Sequence, residues 1–182
     1  MEKKQVDVGA VIDAAAHASH ARVVGHFALA AVPAIDGGGD LQDLGANLKE
    51  LARELGIGDR VMFLGQVPEA RLYFRAFDVF ALSSDNEPFG MVLLEAMAAG
   101  VPLLATACGG AKEVVEGVGI LFPPGDAEHL AQGLQHLAAM DEQQRRQCAE
   151  LMLERLRERF SDRAVGDAFW HLPHVTELAK RG

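Results

Sequence analysis

Two glutamates and a glycine carry the most chemistry in this 182-residue chain. They lie in SSDNEPFGMVLLEAMAAG, residues 83–100, with Glu87 and Glu95 on either side of Gly90. Pro88 fixes its own φ and disfavours helix at Glu87. Gly90 lets the backbone come close to whatever sits above it. From Met91 to Ala99 every residue except Glu95 is apolar, and Gly100 is placed to cap the helix they form. A loop that opens into a helix presents unpaired N–H groups and the positive end of the helix dipole, and both favour an anion. Glu95 lies five residues past Gly90, or about 7.5 Å along the axis. That offset suits a nucleotide with a phosphate on the amides near Gly90 and ribose hydroxyls at Glu95. Glu87 would then face the other end of the ligand. The alternatives stay open. A carboxylate in an apolar helix needs partners, so Glu95 is equally suited to pair with an arginine or cap backbone groups. Glu87 is equally suited to a solvated loop.

The elements that must position these residues alternate between strand and helix. Val79 to Leu82 reads as a buried strand feeding the motif. An Ala-rich strand at 27–32 leads to Asp36, Gly37, Gly38 and Gly39, a run suited to close approach of a ligand or to a flexible loop. Leu41, Leu44, Leu48, Leu51 and Leu55 form the stripe of an amphipathic helix over 40–55, which Gly56 ends. A short strand is expected at 61–64, and Pro68 opens a short helix reaching Phe77. Another strand at 101–105 is followed by Thr106 to Gly110 and a short helix holding Glu113. Cys108, with no base close in sequence, reads as a small, partly buried thiol. After a strand at 119–122, Asp126 caps a helix over 127–140 and Asp141 caps one over 142–160. Arg145, Arg146, Arg155, Arg157 and Arg159, interleaved with glutamates, predict a solvated, salt-bridged face on the latter. Ser161 caps a last helix interrupted at Pro173. Near the other end a helix over 6–18 brings His17 and His20 together, but no third ligand accompanies them and no metal site is expected.

This alternation predicts an α/β fold: an open, doubly wound, mostly parallel sheet of Rossmann-like type with helices on both faces. Ligands bind beyond the carboxyl ends of the strands of such sheets. The loops 36–39, 65–67, 83–89, 106–110 and 123–126 are therefore expected to rim one crevice. The domain expected over 1–160 carries that sheet, and 161–182 forms a helical extension packed on it.

Composition narrows the function. The length fits one domain with a good core, and 49% hydrophobic against 24% charged residues predicts a globular chain. A net charge of -9 without a basic stripe argues against nucleic acid as a partner. Two cysteines and no visible signal peptide or membrane span predict a cytoplasmic protein, with the inner face of the membrane as an alternative peripheral location.

The motif EPFGMVLLEAMAAGVPLLAT resembles the signature of the retaining glycosyltransferases with two Rossmann-like domains (GT-B), family 4, group 1. The similarity continues through Gly109, Gly110, Glu113 and GILFPPGD at 119–126, and upstream through LARELGIGDRVMFLGQV at 51–67. In such enzymes this part is the C-terminal domain, which holds a nucleoside-diphosphate sugar as substrate, with no cofactor and no required metal. The resemblance implies that Glu95 binds the ribose hydroxyls and that the backbone of Gly90, Met91 and Val92 binds the diphosphate. It implies too that Glu87 is the catalytic residue, holding hydroxyls of the donor sugar with the backbone of Phe89 and Gly90, as a positioning group and not a general base. Gly38, Gly39 and Thr106 belong to the loops beside the donor. The family adds an Arg and a Lys that neutralise the leaving diphosphate; the chain begins too late to supply that Arg, and Lys4 or Lys3 matches the Lys. The acceptor side comes from a separate N-terminal domain or partner chain, so the chain alone is expected to be inactive. The other reading is a non-catalytic nucleotide-sugar-binding module that dimerises through an exposed sheet edge.

Overall fold

Short apolar runs bounded by turn residues build a parallel sheet. The computed structural model describes residues 27–30, 41–64, 67–84 and 86–173. Within them, β1 (Phe27–Ala30), β2 (Val79–Leu82), β3 (Leu103–Thr106) and β4 (Ile120–Phe122) lie in the order β1-β2-β3-β4. Each pairing is parallel, with Phe27 opposite Val79, Phe80 opposite Leu103 and Leu104 opposite Ile120. The helices are α1 (Leu41–Glu54), α2 (Met91–Ala99), α3 (Gly109–Val115), α4 (Ala127–Ala138), α5 (Glu142–Arg155) and α6 (Asp162–Trp170). A π-helical turn, Leu156–Phe160, extends α5.

Successive strand residues point to opposite faces, and the core divides accordingly. Phe80, Leu82, Leu103 and Ala105 pack with Leu93 and Met97 of α2, Val114 of α3 and Met152 of α5. Val79, Ala81, Leu104 and Phe122 pack with Leu130, Leu134 and Leu137 of α4 on the other side. β2 and β3 are buried at every position, as a parallel sheet covered on both faces requires. The doubly wound α/β arrangement expected from the sequence is present.

The helix ends follow their local chemistry. Gly100 stops α2 with a φ of 75°, donating its N–H to the carbonyls of Ala96 and Met97. Asp126 caps α4, its Oδ1 accepting from the His129 amide at 3.0 Å. That backbone bond holds the Asp126 carboxyl below the usual carboxylate range. Asp141 and Gln144 form a reciprocal capping box at the start of α5. Ser161 caps α6 through the Ala164 amide at 3.1 Å.

Two expectations need correction, and three lie outside the described residues. Residues 61–64 are not a strand: β1 pairs directly with β2, and Met62 and Leu64 are 81% and 60% exposed. Only Val61 packs, on the small cluster around Ala52 and Ile57. The short helix before β2 is a 3-10 turn, Ala70–Ala76, which buries Phe74. The helix expected over 6–18, the glycine run at 36–39 and Lys4 lie outside the described residues.

Arg145 also departs from the solvated face expected of it. Its Nη1 donates to the Asp78 carbonyl at 2.9 Å, its Nε to the Met140 carbonyl at 3.2 Å and its Nη2 to the Ala138 carbonyl at 3.3 Å. One guanidinium thus joins the end of α4, the start of α5 and the residue before β2. Arg146, by contrast, pairs with Glu142 on the exposed face at 2.8 Å. Arg145→Ala is expected to lower unfolding free energy by about 2 kcal/mol, the scale of charged hydrogen bonds. Arg146→Ala is expected to change it by less than about 0.5 kcal/mol. Urea titrations of the two variants beside the parent chain check the contrast.

Candidate functional site

The site grows from two loops at the carboxyl end of the sheet, one after β2 and one after β3. Three hydrogen bonds join them. Thr106 Oγ1 donates to the Leu82 carbonyl at 3.1 Å, Cys108 Sγ to the Ser84 carbonyl at 3.1 Å, and the Gly110 amide to the Glu87 carbonyl at 2.8 Å. The approach is too close for side chains. A Cβ on Gly109 would lie 2.0 Å from the Glu87 oxygen, and one on Gly110 would lie 2.5 Å from Phe89 Cα. The two consecutive glycines are therefore what lets the β2–α2 loop rest on the start of α3.

That loop delivers Glu87, Phe89 and Gly90 to the N-terminus of α2. Gly90 has a φ of 91°, a left-handed turn that suits glycine, and it directs the chain into the helix. Its amide donates to Glu87 Oε1 at 2.8 Å. Glu87 is therefore neither purely solvated nor directed wholly outward: one carboxylate oxygen caps α2. Helix geometry leaves the next amides, those of Met91 and Val92, without intrahelical acceptors. Among the described residues nothing else accepts from them. Glu95 stands one turn beyond Met91 on the same face of α2. It is partly exposed, and no hydrogen bond or ion pair ties it to another described residue. Neither the arginine pair nor the backbone cap considered for it is found there.

The remaining sequence-predicted positions are placed as follows. Thr106 is buried, and its hydroxyl stitches β3 to β2. Phe89 is 43% exposed and its ring meets Phe160 edge-on. Gly38, Gly39 and Lys4 lie outside the described residues. Sequence reasoning did not single out Ser83 and Ser84. Both are buried, and their hydroxyls have no hydrogen-bond partner among the described residues. Their only signal was a pair of polar residues ending an apolar strand.

Chemically, the face offers amide donors at a helix start and a carboxylate acceptor one turn on. A ligand with an anionic group and adjacent hydroxyls matches both ends. Among the described residues no group of three or more His, Cys, Asp or Glu is arranged to hold a metal ion. No helix there is long and apolar enough to cross a membrane.

Known proteins share this chain's fold and part of its sequence. The family described as "Glycosyl transferases group 1" matches residues 12–151. Lipopolysaccharide core biosynthesis glycosyltransferase LpsE of Rhizobium meliloti is 37% identical over 128 residues, 69% of this chain and 37% of its own. The structure of Anabaena HepE in complex with UDP and glucose superposes with a TM-score of 0.70 at 27% identity, over 92% of this chain and 45% of that one. Sucrose-phosphate synthase from Thermosynechococcus elongatus gives 0.69 at 31% identity, over 96% and 44%. The chain thus spans less than half the length of each.

The contact of Gly110 with Phe89 is open to direct measurement. Gly110→Ala is expected to cost about 1–3 kcal/mol, the range for overpacking against an unyielding neighbour. The comparison is a denaturant titration against Gly166→Ala, where an added Cβ meets nothing within 4 Å. Equal midpoints for the two variants would mean that the loop is not seated on α3.

Proposed function

We propose, because the chain belongs to the group 1 glycosyl transferases, that it forms the donor-binding part of a family 4, retaining sugar transferase of two-domain type. Its donor is a nucleoside-diphosphate sugar. The amides of Met91 and Val92, with Gly90, take the diphosphate, and Glu95 accepts from the ribose hydroxyls. Glu87, with the backbone of Phe89 and Gly90, holds the sugar. The observation that carries this reading is the pairing of those unclaimed amides with an unpartnered carboxylate on one face of α2. The Anabaena neighbours that hold UDP, alone or with glucose, add support for the ligand class.

The chemistry asked of these groups is electrostatic. As the bond between sugar and diphosphate breaks, negative charge grows on the leaving phosphate and the sugar carbon approaches an oxocarbenium ion. Fixed amide dipoles at the start of α2 stabilise the leaving group without having to reorganise. Glu87 positions the sugar, and no residue is assigned as a nucleophile. The acceptor is supplied by a further domain or partner chain, and the chain alone transfers no sugar.

Titration calorimetry with UDP and with UDP-glucose tests the assignment. Glu95→Ala is expected to weaken UDP about 10- to 100-fold, the worth of charged hydrogen bonds from two hydroxyls. Glu87→Gln keeps an oxygen for the Gly90 amide but removes its charge from beside the diphosphate, and is expected to weaken UDP-glucose relative to UDP. UDP affinity that ignores Glu95→Ala would remove the proposed site.

A further inference from the structure

The π-helical turn Leu156–Phe160 lies outside the donor site yet reaches both parts of its frame. Such turns are rare and interrupt the regular hydrogen-bond ladder. Here the turn has a packing consequence. Met152, Leu156 and Phe160 follow one another four residues apart, and all three pack on the core shared by α2 and α3. On an α-helix, positions four apart drift about 40° round the axis at each step. The wider i→i+5 turn offsets that drift and keeps Phe160 over the core. Its ring then meets Phe89 edge-on, with centroids 6.3 Å apart and planes at 76°.

The same turn, together with Arg155 just before it, also holds α3. Arg155 donates to the Glu113 carbonyl at 2.6 Å, and Arg159 Nη2 reaches Glu113 Oε1 at 3.5 Å. Glu113 belongs to α3, whose Gly110 amide fixes the Glu87 carbonyl. The turn therefore touches Phe89 directly and Glu87 through α3.

We propose that this turn positions the ligand loop, with Phe160 as the positioning residue that sets where Phe89 and Gly90 present their backbone. The proposal rests on the donor-site reading for its ligand, but not for its structural content. Phe160 bears on the sugar end of the site. Glu95 sits further along α2 and is held by the helix itself, so the ribose end depends on Phe160 less than the sugar end does.

Two measurements on the 182-residue chain test this. In hydrogen exchange, Phe160→Ala raises exchange across residues 86–92 and leaves α4 unchanged. Phe160→Tyr, which keeps the ring edge, restores the parent pattern. In calorimetry, Phe160→Ala weakens UDP-glucose about three- to tenfold, the worth of one aromatic pair, and UDP by a clearly smaller factor. Phe160→Leu, which keeps the packing but not the ring, shows the same bias should the alanine variant fold poorly. Unchanged exchange over 86–92, equal losses for both ligands, or no rescue by tyrosine overturns the proposal. If the parent chain binds neither UDP nor UDP-glucose, the donor-site reading falls, and the exchange comparison alone decides the role of Phe160.

Discussion

One hydrogen bond, from the Gly110 amide to the Glu87 carbonyl, governs the shape of the site. The loop it holds joins a buried strand to a buried helix. Pro88 brings no amide of its own to that loop, and Phe89 is partly exposed, so neither anchors it strongly. The anchor comes from α3, and it works only because two glycines let backbone meet backbone. The direction of Gly90, the reach of Glu87 to the helix start and the contact of Phe89 with Phe160 all follow from where that loop is seated.

The pattern of the sequence made the frame legible because its signals are local. The apolar run of α2 and its glycine stop, the Asp126, Asp141 and Ser161 caps, and the parallel strands at 79, 103 and 120 each depend on residues near in the chain. What stayed hidden depends on partners far away. Arg145 looks like its neighbour Arg146, and only the fold brings the Asp78 carbonyl, 67 residues back, within its reach. Residues 61–64 carry a strand-like composition, but Met62 and Leu64 face solvent and only Val61 packs, on the cluster around Ala52 and Ile57. The glycine pair at 109 and 110 was visible in the sequence, while the backbone it receives was not. The spacing of Glu87 and Glu95 drew attention to both carboxylates, yet gave no sign that Glu87 would bond the Gly90 amide.

The two faces of the sheet divide the labour. α4 covers one face with leucines. α2, α3 and α5 share the other, so anything that shifts α5 or the turn after it is felt by both site-bearing helices. Close-packed layers pass such shifts on rather than absorbing them. A site whose loop hangs between two helices is best held by the third element that touches both, and the stretch from Arg155 to Phe160 is so placed.

The cap formed by Glu87 bears on how an anion can bind. A carboxylate on the Gly90 amide already supplies the negative charge that a helix start favours. On the proposed reading, a diphosphate arriving at Met91 and Val92 meets that charge nearby. Two unit charges about 5 Å apart at a partly exposed site repel by about 3 kcal/mol. Two charge-assisted amide bonds return about 3–6 kcal/mol. The phosphate end alone is therefore close to balance, and affinity must be decided elsewhere: by the ribose at Glu95 and by a cation brought to the diphosphate. Glu87 is not wasted in that arrangement. With Oε1 fixed by the backbone, Oε2 is left to accept from a sugar hydroxyl, and the bond that caps the helix also fixes the direction of that acceptor.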